Sequence, residues 1–209
     1  MKRVLLAAVF VLAASVFPAA AQNYSDIDVD LPAFPEMEPI QDSPVYWAPN
    51  VDSNYFFYDG LYWDYNNDGW YSSAWYNGPW AYVEPIYVPT YVLWVPVHYY
   101  HRAPPFFRGW HPNRPPHWTE HWGHDWQARH NAIYGGHAAA VGRAPLPLYQ
   151  RQYSRANYPR APQQYALHGQ HYAYQPHEAV TRQHYESRGI TLQRQPQDAR
   201  RDDAHRERR

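Results

Sequence analysis

Three histidines stand at helical spacing in the middle of the chain, His117-x3-His121-x2-His124, with Glu120 and Asp125 beside them. Side chains at i, i+4 and i+7 share one side of a helix, and neutral imidazole is the commonest protein ligand for a metal. The pattern reads as a weak divalent-metal site for zinc, nickel or copper. It lacks the H-E-x-x-H spacing that sets a glutamate base beside the metal. Further histidines are scattered toward the C-terminus (His137, His168, His171, His177, His184, His205), so tight, specific binding is not expected.

A second group joins two carboxylates, Asp64 and Glu84, to the rings of Tyr62, Tyr71, Trp75, Trp80 and Tyr82. Rings give planes to stack on and carboxylates give acceptors that orient a ligand, which is what a sugar or cation platform needs. As an acid pair for glycoside cleavage, Asp64 and Glu84 have no second domain to close a cleft around them. The chain also has no G-x-S-x-G elbow, P-loop or G-x-G-x-x-G turn and no cysteine nucleophile. The chemistry expected is binding rather than catalysis.

The element that must position this second group runs from Asn54 to Val83. Asp59-Gly60, Asp68-Gly69 and Asn77-Gly78 recur at nine-residue spacing between aromatic runs. Such dipeptides mark hairpin turns, because a type I′ turn needs positive φ. With two-residue loops at 59–60 and 77–78 and a four-residue loop at 66–69, the register follows. Phe56 faces Trp63, Trp63 faces Ser72 and Ser72 faces Val83; Tyr58, Leu61, Ala74 and Ala81 form the next row, and Tyr65 pairs with Trp70. These share a first face, the better core. The second face carries Phe57-Tyr62-Ser73-Tyr82, Tyr55-Asp64-Tyr71-Glu84 and the pair Trp75-Trp80. If it is open it is a platform; if residues 86–126 cover it, its rings are packing. The scarcity of aliphatic residues favours the covered arrangement.

Downstream, Ile86–Val88 and Tyr91–His101 read as further strands, with Pro85, Pro89 and Pro96 at edges or bends. A Pro-rich crossing, Arg102 to Pro116, brings Phe106, Phe107 and Trp110 as lids on the sheet. Pro115-Pro116 then opens a helix from His117 to about His130, whose Trp118, Trp122 and Trp126 form a stripe that docks on the sheet.

The 209-residue chain is 18% aromatic and contains 21 Pro, yet its mean hydropathy is −0.77. Tyr (21) and Trp (10) are unusually numerous among its apolar residues, which suits a small, flat core better than an enzyme interior. The expected class is mainly β: a small antiparallel aromatic meander with one short C-terminal docked helix and long disordered flanks. A Lys2-Arg3 start, an apolar run from Val4 to Phe17 and Ala19-Ala20-Ala21 read as a secretory leader over 1–21. Residues 22–44 read as an acidic, Pro-containing linker, 45–133 as the aromatic β domain, and 134–209 as a disordered Arg/Gln/His/Tyr-rich tail. Zero Cys excludes disulfides, thiolate metal sites and a lipidated N-terminal cysteine. Charge is segregated behind a net of −1. Residues 22–101 hold eleven acidic residues and no Lys or Arg, while residues 102–209 hold sixteen Arg and eight acidic residues, so the tail could fold back on the head.

The segments F-F-Y-D-G-x-Y-W, D-G-W-Y and W-Y-N-G-P-W, with W-V-P-V-H-Y at Trp94 to Tyr99 and P-P-H-W-x-E-H-W-G-H-D-W at Pro115 to Trp126, resemble uncharacterised aromatic-rich, Gly-turn exported proteins of Gram-negative bacteria. The resemblance implies residence in the cell envelope and no particular activity. The functional expectation is therefore a non-catalytic envelope protein, periplasmic or at the surface, that binds or coats through aromatic and Arg/Tyr surfaces. Its expected partner is an envelope glycan or envelope protein, not nucleic acid, and the mature chain is expected to carry no transmembrane segment. No cofactor is expected; the alternative is a periplasmic protein that weakly binds a divalent metal through His117, His121 and His124.

Overall fold

The structure, a computed structural model, describes residues 27, 29–32, 34–135, 142–147, 150, 153, 157, 159, 163, 176–179 and 182. The leader expected over 1–21 and most of the tail expected beyond 134 lie outside the described residues.

Two of the three predicted turns build the centre of the sheet. Asp59 and Gly60 take φ of 48° and 88°, and Asn67 and Asp68 take 48° and 60°, the positive values that a tight hairpin turn requires. They join β3 (Asn54–Tyr58) to β4 (Leu61–Asn66), and β4 to β5 (Gly69–Ser73). The register matches expectation here: Phe56 faces Trp63, Tyr55 faces Asp64, Trp63 faces Ser72 and Tyr65 faces Trp70. The third turn differs. Asn77-Gly78 lies inside a longer loop, residues 74–80, because Pro79 offers no N–H to continue a ladder. Strand β6 (Ala81–Val83) consequently pairs two residues away from the expected register. Ser72 faces Ala81 rather than Val83, Tyr71 faces Tyr82 rather than Glu84, and Trp75 and Trp80 are not strand partners. An even displacement keeps every side chain on its expected face.

Two short strands, β1 (Glu38–Pro39) and β2 (Tyr46–Trp47), complete a six-stranded antiparallel sheet in the order β1-β2-β3-β4-β5-β6. β1 falls in the stretch expected to be a linker. Its end is closed by Ile40 N–H donating to the Val45 carbonyl at 3.0 Å, around Asp42 at φ 56°.

The first face carries Phe56, Tyr58, Leu61, Trp63, Tyr65, Trp70 and Val83, all buried. Its cover is residues 85–134, but not as strands. The segments 86–88 and 91–101, expected to be extended, form 3-10 turns at Pro85–Tyr87 and Val97–Tyr99 and a short helix α1 (Thr90–Leu93). Proline is the reason: Pro85 begins one turn, and Pro89 and Pro96 sit at the N-caps of the others, where a fixed φ and a missing N–H suit a helix start. Another such turn, Pro105–Phe107, buries Phe107 against Tyr100 and Trp118, as the lid reading anticipated.

The expected single helix is two, α2 (Trp118–Trp122) and α3 (His124–Tyr134), because Gly123 at φ 85° interrupts it. The Trp stripe survives the break and docks on the sheet. Trp118 meets Tyr65 and Trp70 edge-on, at 5.3 and 6.0 Å, and its Nε1 donates to the Leu93 carbonyl at 2.9 Å. Trp118, Trp122, Trp126, His130 and Tyr134 then run as a ladder with successive ring separations of 4.4, 4.8, 5.2 and 4.6 Å. The ladder is pinned by His130 Nε2 donating to the Val88 carbonyl at 2.9 Å and the Tyr134 hydroxyl donating to the Tyr87 carbonyl at 2.7 Å.

The second face is also covered, by other segments than those expected. Buried Tyr55, Phe57, Tyr62, Tyr76 and Trp80 pack with Ile27, Val29, Leu31, Phe34 and Met37 from one flank and with Ala144, Leu146 and Tyr153 from the other. Residues 86–126 cover the opposite side. The described residues of the tail fold back on the head. Arg143 donates to the Ile40 and Ser43 carbonyls at 2.9 and 2.6 Å, Gln150 accepts from the Tyr62 hydroxyl at 2.8 Å, and His177 reaches the Asp59 carboxylate at 2.8 Å.

Candidate functional site

The residues expected to form an aromatic platform do not form one open surface. Tyr62 and Asp64 are wholly buried and Trp80 nearly so; Tyr71 and Trp75 are half-buried, and only Tyr82 and Glu84 are exposed. Trp80 instead meets Tyr55 edge-on at 5.7 Å within the core. Asp64 is the anomaly on this face: its Oδ2 accepts from the Ser53 hydroxyl, while Oδ1 has no hydrogen-bond partner among the described residues. Burial pushes its carboxyl up to about 7, against the smaller lowering effects of the Ser53 bond and the Arg102 charge.

The three helix histidines are given separate neighbours. His117 Nδ1 meets Glu120 Oε1 at 2.8 Å with its ring stacked on Trp110, and His121 Nε2 meets Asp68 Oδ1 at 2.6 Å. His124 is exposed at the start of α3, beyond the break at Gly123. Among the described residues no group of three or more His, Asp or Glu stands in a metal-holding arrangement.

One of these histidines instead helps to line a cleft of about 570 Å³ at the end of the sheet, between the 67–68 turn, residues 102–106 and α2. Asp68 is its carboxylate. Held at positive φ in the turn, it receives the Tyr65 hydroxyl at 2.6 Å and the His121 imidazole at 2.6 Å on the same oxygen, Oδ1. The His121 ring lies flat on Phe106, 3.8 Å away and 8° from parallel. Burial and then the bond to Asp68 hold the Tyr65 phenol far above its ordinary range, so it remains a donor at any physiological pH.

The far wall is set by Asn54, whose Oδ1 accepts from the Arg102 N–H and whose Nδ2 donates to the Tyr65 and Arg102 carbonyls, at 2.9, 2.7 and 2.9 Å. The Arg102 guanidinium forks onto Asp52 at 2.8 and 3.3 Å and, chiefly through that bond, holds the exposed Asp52 carboxyl below its usual range. Asn66 and Asn67 complete the rim with carboxamides. The cleft thus offers a carboxylate fixed by two donors, an imidazole, carboxamides, a guanidinium and the rings of Tyr65 and Phe106. That set orients a polyhydroxylated ligand. Its two hydroxyls, of Ser53 and Tyr65, both donate to carboxylates, and neither is paired with an imidazole base.

Of the cleft residues, His121 is the one that its spacing had singled out. Asp68 and Asn67 carried only a turn signal, Tyr65 only its register opposite Trp70 and Phe106 only a lid role, and Asn54 and Arg102 carried none beyond their types. The chain matches no family model, no curated protein and no solved structure.

Proposed function

We propose that the chain is a non-catalytic, exported binding protein of the cell envelope, and that it holds an envelope glycan in the cleft that Asp68 lines. The observation that carries this reading is the immobilised Asp68 carboxylate, gripped by Tyr65 and His121 and flanked by the Phe106 ring. A preorganised acceptor beside an aromatic plane is what sugar hydroxyls and the C–H face of a pyranose recognise, and ligand sites are clefts with a few convergent polar groups. Asp68 is the one carboxylate among the described residues lining the cleft, whereas glycoside cleavage takes a pair, which favours binding over hydrolysis. Export rests on the leader read in the sequence, and no helix among the described residues is long and apolar enough to cross a membrane.

Calorimetric titration of the mature chain with neutral and uronate oligosaccharides tests the reading. At least one class should bind saturably, and Asp68→Asn and Phe106→Ala should each weaken it by about tenfold, one lost charge-assisted hydrogen bond or stacking contact. The lack of saturable binding by every oligosaccharide overturns it, as does binding that both variants leave unchanged.

A further inference from the structure

Between Glu84 and Glu120 the chain contains no Asp or Glu, but it contains Arg102, Arg108 and Arg114 and the histidines 98, 101, 111 and 117. All seven of these basic residues are exposed. The backbone gathers them into one layer. Val97 N–H donates to the Arg114 carbonyl and His98 N–H to the Pro112 carbonyl, each at 3.0 Å, so the ends of the 97–114 loop are held side by side. His98 Nδ1 also donates to Pro112 O at 2.9 Å, and His117 stacks on Trp110 at 5.0 Å. At the other end His101 stacks on Trp47 at 5.4 Å, beside Arg102.

The carboxylates that approach this layer come from outside it and are already engaged: Asp52 with Arg102, and Glu120 with His117. Arg108 and Arg114 have no ion-pair partner among the described residues. They are exposed guanidiniums, whose planar fork matches carboxylates in two-pronged fashion. The layer is continuous with the cleft, because Arg102 and Phe106 line the one and belong to the other.

Resting on the glycan reading of the cleft, we infer that the glycan is acidic. A carboxylate-bearing polysaccharide occupies the cleft with one residue and runs over the 97–117 layer, setting its carboxylates against Arg108 and Arg114. The half-buried rings of Tyr99, Phe106 and Trp110 and the exposed imidazoles of the layer supply stacking planes and hydrogen-bonding nitrogens between the charges.

The test compares a galacturonate oligomer with a neutral cello-oligomer of equal length on the intact mature chain, by calorimetry at low and raised salt. The galacturonate oligomer should bind at least about tenfold more tightly at low salt and lose most of that advantage in about 0.5 M salt, where charges are screened within a few ångströms. The double variant Arg108→Ala/Arg114→Ala alters exposed side chains away from the cleft, so its thermal unfolding should match the wild type. It should lose the preference for galacturonate while keeping cello-oligomer binding. If both oligomers bind equally, or the double variant keeps the preference, the inference fails and the cleft reading stands. If neither oligomer binds, the inference fails, and the cleft reading fails with it when the other neutral and uronate oligosaccharides do not bind either. A single-stranded DNA oligomer binding as tightly as galacturonate also overturns the inference, since charge alone would then account for it.

Discussion

The first face of the sheet is covered by the chain that directly follows it, residues 85–134, whereas the second is covered by two flanks that meet across more than a hundred positions, as in the bond from Arg143 to Ile40. The first cover is dense with rings. The second face contains Asp64, a buried carboxyl with one oxygen unpartnered among the described residues. Closing a long loop costs chain entropy before any contact repays it. The first core is therefore the more local one, with the Tyr58 hydroxyl as its bond to the returning tail at Glu178, and the second depends on segments that must return from far away. A sheet whose two faces look equally aromatic in sequence has one face built for stability and one that is conditional.

The largest expected effect breaks the first core. Trp63→Ala removes a fully buried indole and should cost about 3–5 kcal/mol, seen as loss of the cooperative transition in denaturant melts. A loss below about 1 kcal/mol would show that this face is not the foundation.

Next comes the carboxyl of the second face. With Asp64 raised to about 7, the native chain holds a proton there that the unfolded chain releases near pH 4. Its contribution is therefore fully present below about pH 4 and is lost as pH rises through about 7, on the order of 4 kcal/mol across the window. Asp64→Asn should abolish that slope in stability measured against pH. His130, under the first cover, acts in the opposite sense. Burial lowers its pKa below 6.5 more than its bond to Val88 raises it, so stability declines as pH falls below 6.5. That acid-side decline should remain in Asp64→Asn, which separates the two faces by titration alone.

Smaller still is the flank itself. Arg143→Ala removes two donors to backbone carbonyls and a guanidinium 5.4 Å from the Tyr46 ring centre. The expected cost is about 1 kcal/mol, with faster proteolytic cleavage around residues 142–153 as the sharper readout. Trp94, 48% exposed on the outside of the first cover, should be nearly silent: Trp94→Ala stays within about 0.5 kcal/mol in the same melts.

The turns made the sheet legible in the sequence. Asp59-Gly60 and Asp68-Gly69 flanked by aromatic runs gave three strands, their register and both faces, since alternation then follows from the pleat. Asn77-Gly78 misled because the adjacent Pro79 outweighs it, and the prolines at 85, 89 and 96 misled because proline serves a helix start as readily as a strand edge. What covers the second face was not legible: Ile27, Leu31 and Phe34 are isolated apolar residues in an acidic stretch, with no period to betray a shared destination. The cleft was hidden by distance. Asp68 and His121 lie 53 positions apart, Asn54 and Arg102 lie 48 apart, and each pair is made only once the sheet and its cover are assembled.

The ladder of rings along α2 and α3 has an optical consequence. Trp118 and Trp122 lie 4.4 Å apart and within 7° of parallel, close enough for their excited states to mix, and Trp126 continues the array toward the His130 imidazole. The chain should thus carry its own chromophore pair, visible as coupled bands in near-ultraviolet circular dichroism that no single indole would give. Because both rings of the pair belong to α2, its signal reports the formation of that short helix before Gly123, independently of the emission of the other buried tryptophans.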